Sequence, residues 1–346
     1  MTRVLVTGAG GFLGRAVCRV LLRHGYAVRG FQRHHHPALD DLGVDQVLGD
    51  LRDPDDVHRA VDGCAAVVHT AAKAGHWGPA EEYHRINAVG TDHVLDACRA
   101  HGVDRLVHTS SPAVVHRGRD LDGVDESAPY ATRFRSPYPA SKAIAEQHVL
   151  AANSPTLATV ALRPHLIWGP EDPHFLPRLT AQARAGRLRH LGRTSKMIDT
   201  VHVANAARAH LLALRRLAPG APIAGKAYFI TQGHPLPVDL VVNGLLIAAG
   251  LPPEQRRVPR PPARLAGTLV ELAFRLTKRA TEPPITRFLM DQLGTAHWFD
   301  ITAARTDLGY QPEVGLLAGL AGLADWIAST GSPTAEEPVT TGGDRS

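Results

Sequence analysis

The chain reads as an α/β protein, a doubly wound parallel sheet carrying a smaller C-terminal lobe. Three observations predict this. Short apolar runs alternate with amphipathic stretches through the first 164 residues. A glycine turn, Gly8-Ala-Gly-Gly11-Phe12-Leu13-Gly14, joins the first run to the first amphipathic stretch. Past Pro164 the rhythm loosens into pieces punctuated by Pro and Gly.

Residues 3–7 are apolar enough for a strand buried on both faces, and Phe12 to His24 shows helical spacing. Further strands are predicted at 27–31, 45–48, 65–70, 104–109 and 157–163, with helices at 54–62, 80–101 and 138–152 between them. In the second half the spacing predicts helices at 175–186, 202–217, 237–249, 264–277, 284–293 and 315–328. A strand near 226–231 is expected to rejoin the main sheet. The expected division is a dinucleotide-binding core over 1–164, a substrate lobe over 165–330 with some return to the core sheet, and a disordered Gly/Ser/Thr/Pro/Glu-rich tail over 331–346.

Composition bounds the function. With 346 residues and 44% hydrophobic content, a sizeable core is assured. Cys18, Cys64 and Cys98 are an odd count without C-x-x-C spacing, which argues against a disulfide framework or zinc site and fits a reducing cytoplasm. Met-Thr-Arg runs straight into the first strand without a leader pattern, so secretion is not expected. The longest apolar run, Leu240 to Leu251, is broken by Asn243 and Gly244 and is too short to span a bilayer; peripheral contact stays open. The net charge of +5 comes from scattered arginines without interleaved aromatics, which suits anionic small ligands better than nucleic acid.

The strand-turn-helix context gives the glycine motif its meaning. Gly8, Gly11 and Gly14, with Phe12 and Leu13 opening the helix, let backbone and helix N-terminus approach a pyrophosphate. Asp50, followed by Leu51, is placed to accept a hydrogen bond from adenine, while Asp53 is expected to cap a helix. Ala71 and Ala72, then Lys73, close the fourth strand on the ribose and nicotinamide side. The second strand ends in Gln32-Arg33 where an NAD enzyme would carry an acid, so NADP(H) is expected, with Arg33 on the 2′-phosphate and His34 to His36 nearby. Three consecutive loop histidines do not converge on one metal ion, and no metal is expected.

Tyr138 and Lys142 stand four apart on one predicted helix, so the ammonium can favour the ionised phenol and make the tyrosine an acid-base. Ser110 and Ser111 end the fifth strand; Ser111 is the candidate for polarising a carbonyl opposite the tyrosine, with strand-end capping the competing role.

Taken in order, Gly8-x-x-Gly11-x-x-Gly14, Asp50-Leu51, His69-x-Ala-Ala72, Asn87-Ala-Val-Gly-Thr91, Thr109-Ser-Ser111, Tyr138-x-x-x-Lys142 and Leu162-Arg-Pro164 resemble the extended short-chain dehydrogenases/reductases, in their 3β-hydroxysteroid dehydrogenase-like branch. The resemblance implies a Rossmann-type sheet, an Asn87 that links Lys142 to water behind the reacting groups, nicotinamide contacts from the backbone of Pro164 to Leu166, and a homodimer through the helices near 80–101 and 138–152. Ala71-Ala-Lys-Ala-Gly-His-Trp-Gly78, Ala161-Leu-Arg-Pro-His-Leu-Ile-Trp-Gly-Pro170, Glu282-Pro-Pro-Ile-Thr-Arg-Phe-Leu289 and His297-Trp298 are similar to the bacterial 2-alkyl-3-oxoalkanoate reductase family of olefin and β-lactone biosynthesis. That similarity implies NADPH-dependent reduction of a long-chain 2-alkyl-3-oxoalkanoate to the 3-hydroxy acid. The position of Ser111 is often threonine there, and either hydroxyl serves.

Such a substrate needs an apolar groove and a carboxylate partner. Leu265, Leu269, Leu272 and Leu276 have helical spacing between Arg256, Arg257, Arg260 and Arg264 and the later Arg275, Lys278 and Arg279. They could line a lipid channel, rest on an anionic membrane or a lipid-loaded pathway partner, or be an ordinary core helix. Lys73, His76, Trp77 and His165 are candidates to face the pocket. Among rivals, a 3β-hydroxysteroid or sterol-carboxylate dehydrogenase would favour an acid after the second strand. A sugar-nucleotide dehydratase would want an acid beside the serine, where Pro112 and Ala113 stand. An epimerase stays open, and a non-catalytic NADP-sensing regulator would not need both Tyr138 and Lys142.

Overall fold

The computed structural model describes residues 2–277, 283 and 287–331. Seven strands form one sheet: β1 (Arg3–Thr7), β2 (Ala27–Gln32), β3 (Asp45–Leu48), β4 (Ala66–His69), β5 (Arg105–Thr109), then, past β6 (Leu121–Val124), which belongs elsewhere, β7 (Ala158–Pro164) and Lys226–Ile230. The order is Lys226–Ile230, β7, β5, β4, β1, β2, β3, with every pairing parallel. Chain order reverses beside β1, which opens a crevice at the carboxyl ends of β1 and β4.

Both faces of the sheet are covered, which is why its strands are nearly continuously apolar. Alternation sends Val4 and Val6 to one core with Val17, Leu21 and Leu214, and Leu5 to the opposite one with Val57, Leu95 and Val149. The first core lies under α1 (Phe12–Arg23); the second lies under α3 (Pro54–Val61) and α5 (Gly90–Ala100), which follow the short α2 (Pro37–Asp40) and α4 (Ala80–Tyr83), and under α6 (Pro137–Ala151). Between α4 and α5, His84–Val89 is wound as a π-helix, so the helix expected over 80–101 contains a local widening.

Beyond β7 come α7 (Phe175–Arg184), α8 (Val203–Arg216), α9 (Val238–Ala248), α10 (Arg260–Leu276), α11 (Arg287–Gly294), α12 (Thr302–Leu308) and α13 (Leu316–Thr330). Helix α8 turns back onto the main sheet's core, whereas α7, α9 and α13 build a separate one around Trp168, Val242 and Leu246. A second, four-stranded sheet orders Leu236–Pro237, Met197–Ile198, His297–Phe299 and β6, so the lobe borrows a strand from the chain's first half. Helix α10 starts four residues before its expected position, at Arg260-Pro-Pro. Proline is tolerated in a first turn, where backbone N–H groups have no intrahelical acceptor. Lys278, Arg279, residues 284–286 and the tail beyond Gly331 lie outside the described residues.

Candidate active site

A cleft of about 810 Å³ lies at the carboxyl edge of β1, β2 and β4. Gly8, Gly11 and Phe12 line its floor, Arg33, Asp50 and Leu51 one end, and Ala71, Ala72 and Lys73 the other. Gly8 holds φ +68°, and a Cβ there would meet the Ala71 Cα at 2.8 Å. A Cβ on Gly14 would come 2.0 Å from the Gly8 carbonyl oxygen, so α1 packs onto the turn only with glycine at that position. These close approaches leave an open anion-accepting helix end and fit a dinucleotide. Leu13 packs against the main core instead of lining the cleft.

Arg33 is exposed at the cleft margin beside His34 and His36, and it makes no hydrogen bond among the described residues. The Asp50 carboxylate is gripped by Arg52 through Nε at 3.0 Å and Nη2 at 2.6 Å, and that bond is the leading reason its pKa is held down. It still borders the Arg33 end of the cleft as an acceptor. Asp53 caps α3 through the Asp55 N–H at 2.9 Å. Sequence reasoning missed the opposite wall, Glu171 to His174, Trp326 and Thr330, which tertiary packing brings in from after β8 (Ile167–Trp168) and from α13. Glu171 pairs with Arg15 at 3.1 Å and Arg19 at 2.6 Å, fastening this wall to α1.

At the head of α6, Pro137 and Pro139 sit in the first turn and start the helix sharply. Tyr138 is therefore presented beside the end of β5, close enough to Ser111 for that hydroxyl to favour the ionised phenol. Ser111 Oγ also accepts the Ala113 N–H at 3.2 Å and caps a short 3₁₀ turn. Ser110, by contrast, turns its hydroxyl into the interior, without a hydrogen-bond partner among the described residues. Burial raises the Tyr138 pKa, and the Ser111 bond opposes it. Lys142 is buried one turn further on. Its ammonium donates to the Thr109 carbonyl at 2.5 Å and lies 3.2 Å from His108 Nε2, so it rests on β5. Burial, opposed by Glu146, brings it down to about 8.

A chain of buried hydrogen bonds fixes the tyrosine. The Thr7 hydroxyl lies 2.7 Å from His69 Nδ1, and His69 Nε2 lies 3.0 Å from Thr91 Oγ1. Thr91 spends its proton on the Asn87 carbonyl at 2.6 Å, so His69 carries its own on Nε2. Asn87, in the π-helical turn, donates to Ser141 Oγ at 2.9 Å, and Ser141 donates to the Tyr138 carbonyl at 2.9 Å. The other end of the Asn87 amide accepts the Lys73 N–H at 2.7 Å, which ties α6 to the cleft wall. Burial drives His69 to about 3, so this relay is neutral at ordinary pH.

Arg163, within Leu162-Arg-Pro164, points away from the cleft. It donates from Nε to both Glu146 oxygens, at 3.2 and 3.0 Å, and from Nη2 at 2.5 Å, and its guanidinium lies over the Phe229 ring. Pro164 ends β7, and Leu166 takes φ +43°, an uncommon backbone for a leucine and a form of strain that collects at functional sites. His76 meets the Tyr138 ring edge-on at 5.7 Å, and Trp77 meets Phe274 of α10 at 6.3 Å. The α10 leucines face outward, Leu265 61% and Leu276 75% exposed. Among the described residues no group of His, Cys, Asp and Glu is arranged to hold a metal, and no helix is long and apolar enough to cross a membrane.

The profile of the 3-beta hydroxysteroid dehydrogenase/isomerase family matches residues 5–260. A 2-alkyl-3-oxoalkanoate reductase of Stenotrophomonas maltophilia (strain K279a) is 51% identical over 92% of this chain and 97% of its own length. A protein of the same description from Shewanella oneidensis is 45% identical over 92% and 85%. Among solved structures, the UDP-glucose 4-epimerase of Thermus thermophilus in complex with NAD superposes with TM-score 0.72 at 25% identity, covering 95% of this chain and 100% of that one.

Proposed function

The chain belongs to the 3-beta hydroxysteroid dehydrogenase/isomerase family, and from that premise we propose that it reduces the 3-keto group of a long-chain 2-alkyl-3-oxoalkanoate to the 3-hydroxy acid, using NADPH. The observation that supports this most directly is the Ser111–Tyr138 hydroxyl pair beside a dinucleotide cleft, with Lys142 one helical turn away. When bound, the reduced nicotinamide supplies the hydride.

The chain's own residues do the rest. Ser111 donates a hydrogen bond to the keto oxygen and stabilises the charge that develops there. Tyr138 gives that oxygen its proton; a phenol raised by burial is protonated at neutral pH, the form a reduction needs. Lys142 supplies the positive charge that steadies the phenolate left behind, and it would hold the ribose hydroxyls of the bound cofactor. Asn87 and Ser141 position Tyr138 and keep the Lys73 segment against the cofactor. The Pro164 to Leu166 backbone would hold the nicotinamide amide. Gly8, Gly11 and Phe12 would cradle the pyrophosphate, with Gly14 letting α1 pack close behind them, Asp50 and Leu51 would bound the adenine, and Arg33 would take the 2′-phosphate.

On the same reading, residues 1–164 hold the cofactor and 165–330 mainly the substrate. Two copies pair through α4, α5 and α6. The leucine row of α10 meets an anionic membrane surface or a lipid-carrying pathway partner, in a cytoplasmic route to β-lactones and olefins. The test is steady-state NADPH oxidation with a 2-alkyl-3-oxo acid, or its hydroxy acid in reverse, for wild type and Tyr138→Phe, beside a 3β-hydroxysteroid with NAD. Acid turnover that falls by about 100-fold or more in the variant is expected. Steroid turnover with NAD and none of the acid would sink the proposal.

A further inference from the structure

Three histidines outside the hydride-transfer machinery converge at the carboxyl edge of the sheet. His116 follows the Ser111 turn, His165 follows Pro164, and His297 sits in the lobe's own sheet. His297 Nε2 lies 3.1 Å from His116 Nε2, and Thr295 Oγ1 bridges them at 2.6 and 3.3 Å. The His165 ring meets His297 edge-on at 5.8 Å and Phe299 at 5.2 Å. It is partly exposed, and it makes no hydrogen bond among the described residues. Two imidazoles facing through the same nitrogen share one proton between two acceptors, so this pair is committed within the cluster and the His165 ring is the one left with an N–H to offer.

Cations and carboxylates alternate around the cluster. Asp291, 3% exposed, is clamped by Arg264 at 2.6 Å and by Arg135 at 2.9 Å, one anion between two cations. His116 feels both Asp291 and Arg135. Both arginines are about half-exposed, and Arg135 stands three residues before Tyr138. Asp120 also acts on His116 but is engaged by Lys196, and Asp199 is turned to the Phe299 N–H.

Position completes the argument. Thr109 of β5 pairs with Leu162 of β7, and the Ser110 N–H bonds the Leu162 carbonyl. Ser111 and His165 thus leave neighbouring strands, about 4.8 Å apart, within three residues of their last pairing. The carboxylate of a 3-oxo acid is two bonds from its keto carbon, so its seat has to adjoin Ser111.

We propose that His165, with His116, His297 and Thr295 behind it and Arg135 supplying charge, is the seat of the substrate carboxylate. The inference rests on the activity proposed above and adds what would make a 3-oxo acid preferred over a neutral ketone. An ionised carboxylate entering this partly buried place needs a donor and a counter-charge, the first from the His165 N–H and the second from Arg135.

The experiment compares a 2-alkyl-3-hydroxyalkanoic acid with its methyl ester as reverse-direction substrates, with NADP⁺, for wild type, His165→Gln and Arg135→Gln. Wild type is expected to favour the acid, and each variant to lower the acid-to-ester ratio of kcat/KM by about 10-fold or more, as for loss of a charge-assisted hydrogen bond. An acid-to-ester ratio that stays at the wild-type value in both variants, or a wild type without preference, overturns the seat and leaves the activity standing. Failure of wild type to turn over either compound refutes the activity itself. Arg135 is surface-accessible, so its variant gives the ratio even if His165→Gln does not fold.

Discussion

Replacing Lys142 by methionine is expected to abolish turnover and to change stability in a pH-dependent way. Lys142 is 2% exposed, and burial draws its pKa from 10.5 to about 8. Below pH 8 the lysine carries its proton in both folded and unfolded states, and the folded protein bears a desolvated charge. Between pH 8 and 10.5 the folded lysine is deprotonated first, the unfolded chain binds more protons, and stability rises with pH. The displacement is worth about 3 kcal/mol. An unfolding entropy of about 2.1 cal/mol/K per residue gives roughly 0.7 kcal/mol per degree for 346 residues. Wild type should therefore gain about 4–5 °C on Lys142→Met across that window. The comparison is made as a difference between the two proteins because Cys18 and Cys98, both pushed up to about 12 by burial, titrate in each and cancel. Thermal melts of the pair in matched buffers from about pH 7 to pH 11 read it out. Curves that run parallel would show that the folded lysine titrates like a free one, and the burial argument would fall.

Arg163→Met leaves the buried Glu146 without its cation and should cost about 3–5 kcal/mol, with the Arg163→Met/Glu146→Gln double variant recovering most of it. A double variant that melts as low as the single would refute the pairing. Arg33→Ala should raise the KM for NADPH by about 10-fold or more while sparing NADH, and equal losses for both would count against a 2′-phosphate contact. Gly14→Ala drives a Cβ to 2.0 Å from the Gly8 oxygen and should abolish dinucleotide binding in a fluorescence titration; wild-type affinity would contradict the close-approach argument.

What the sequence could reveal was what local chemistry dictates. The alternation of Val4, Leu5 and Val6 supplies both cores of a two-faced sheet, and the run itself shows it. The glycine turn is legible because a Cβ at Gly8 or Gly14 would collide with backbone, a constraint independent of the rest of the chain. Tyr138 and Lys142 are legible because helical spacing alone brings them to one face. Strand β6 was not. Leu-Asp-Gly-Val has no apolar alternation, and it pairs with His297–Phe299 far along the chain, where Gly123 at φ +64° lies against the Trp298 ring.

The choice of partner for a buried charge is likewise a tertiary property. Arg163 sits inside a motif that reads as part of the cofactor site, yet its guanidinium serves Glu146, whose charge in turn raises Lys142 against burial. That arginine thus reaches the reaction centre through a carboxylate and a lysine, without touching the cleft. Lys142 itself waits on the Thr109 carbonyl, neither exposed nor paired with the phenol. The spacing of Tyr138 and Lys142 named the residues; burial makes the lysine more acidic and the counter-charge beneath it limits how far, and only the packing of α6 on β7 reveals both.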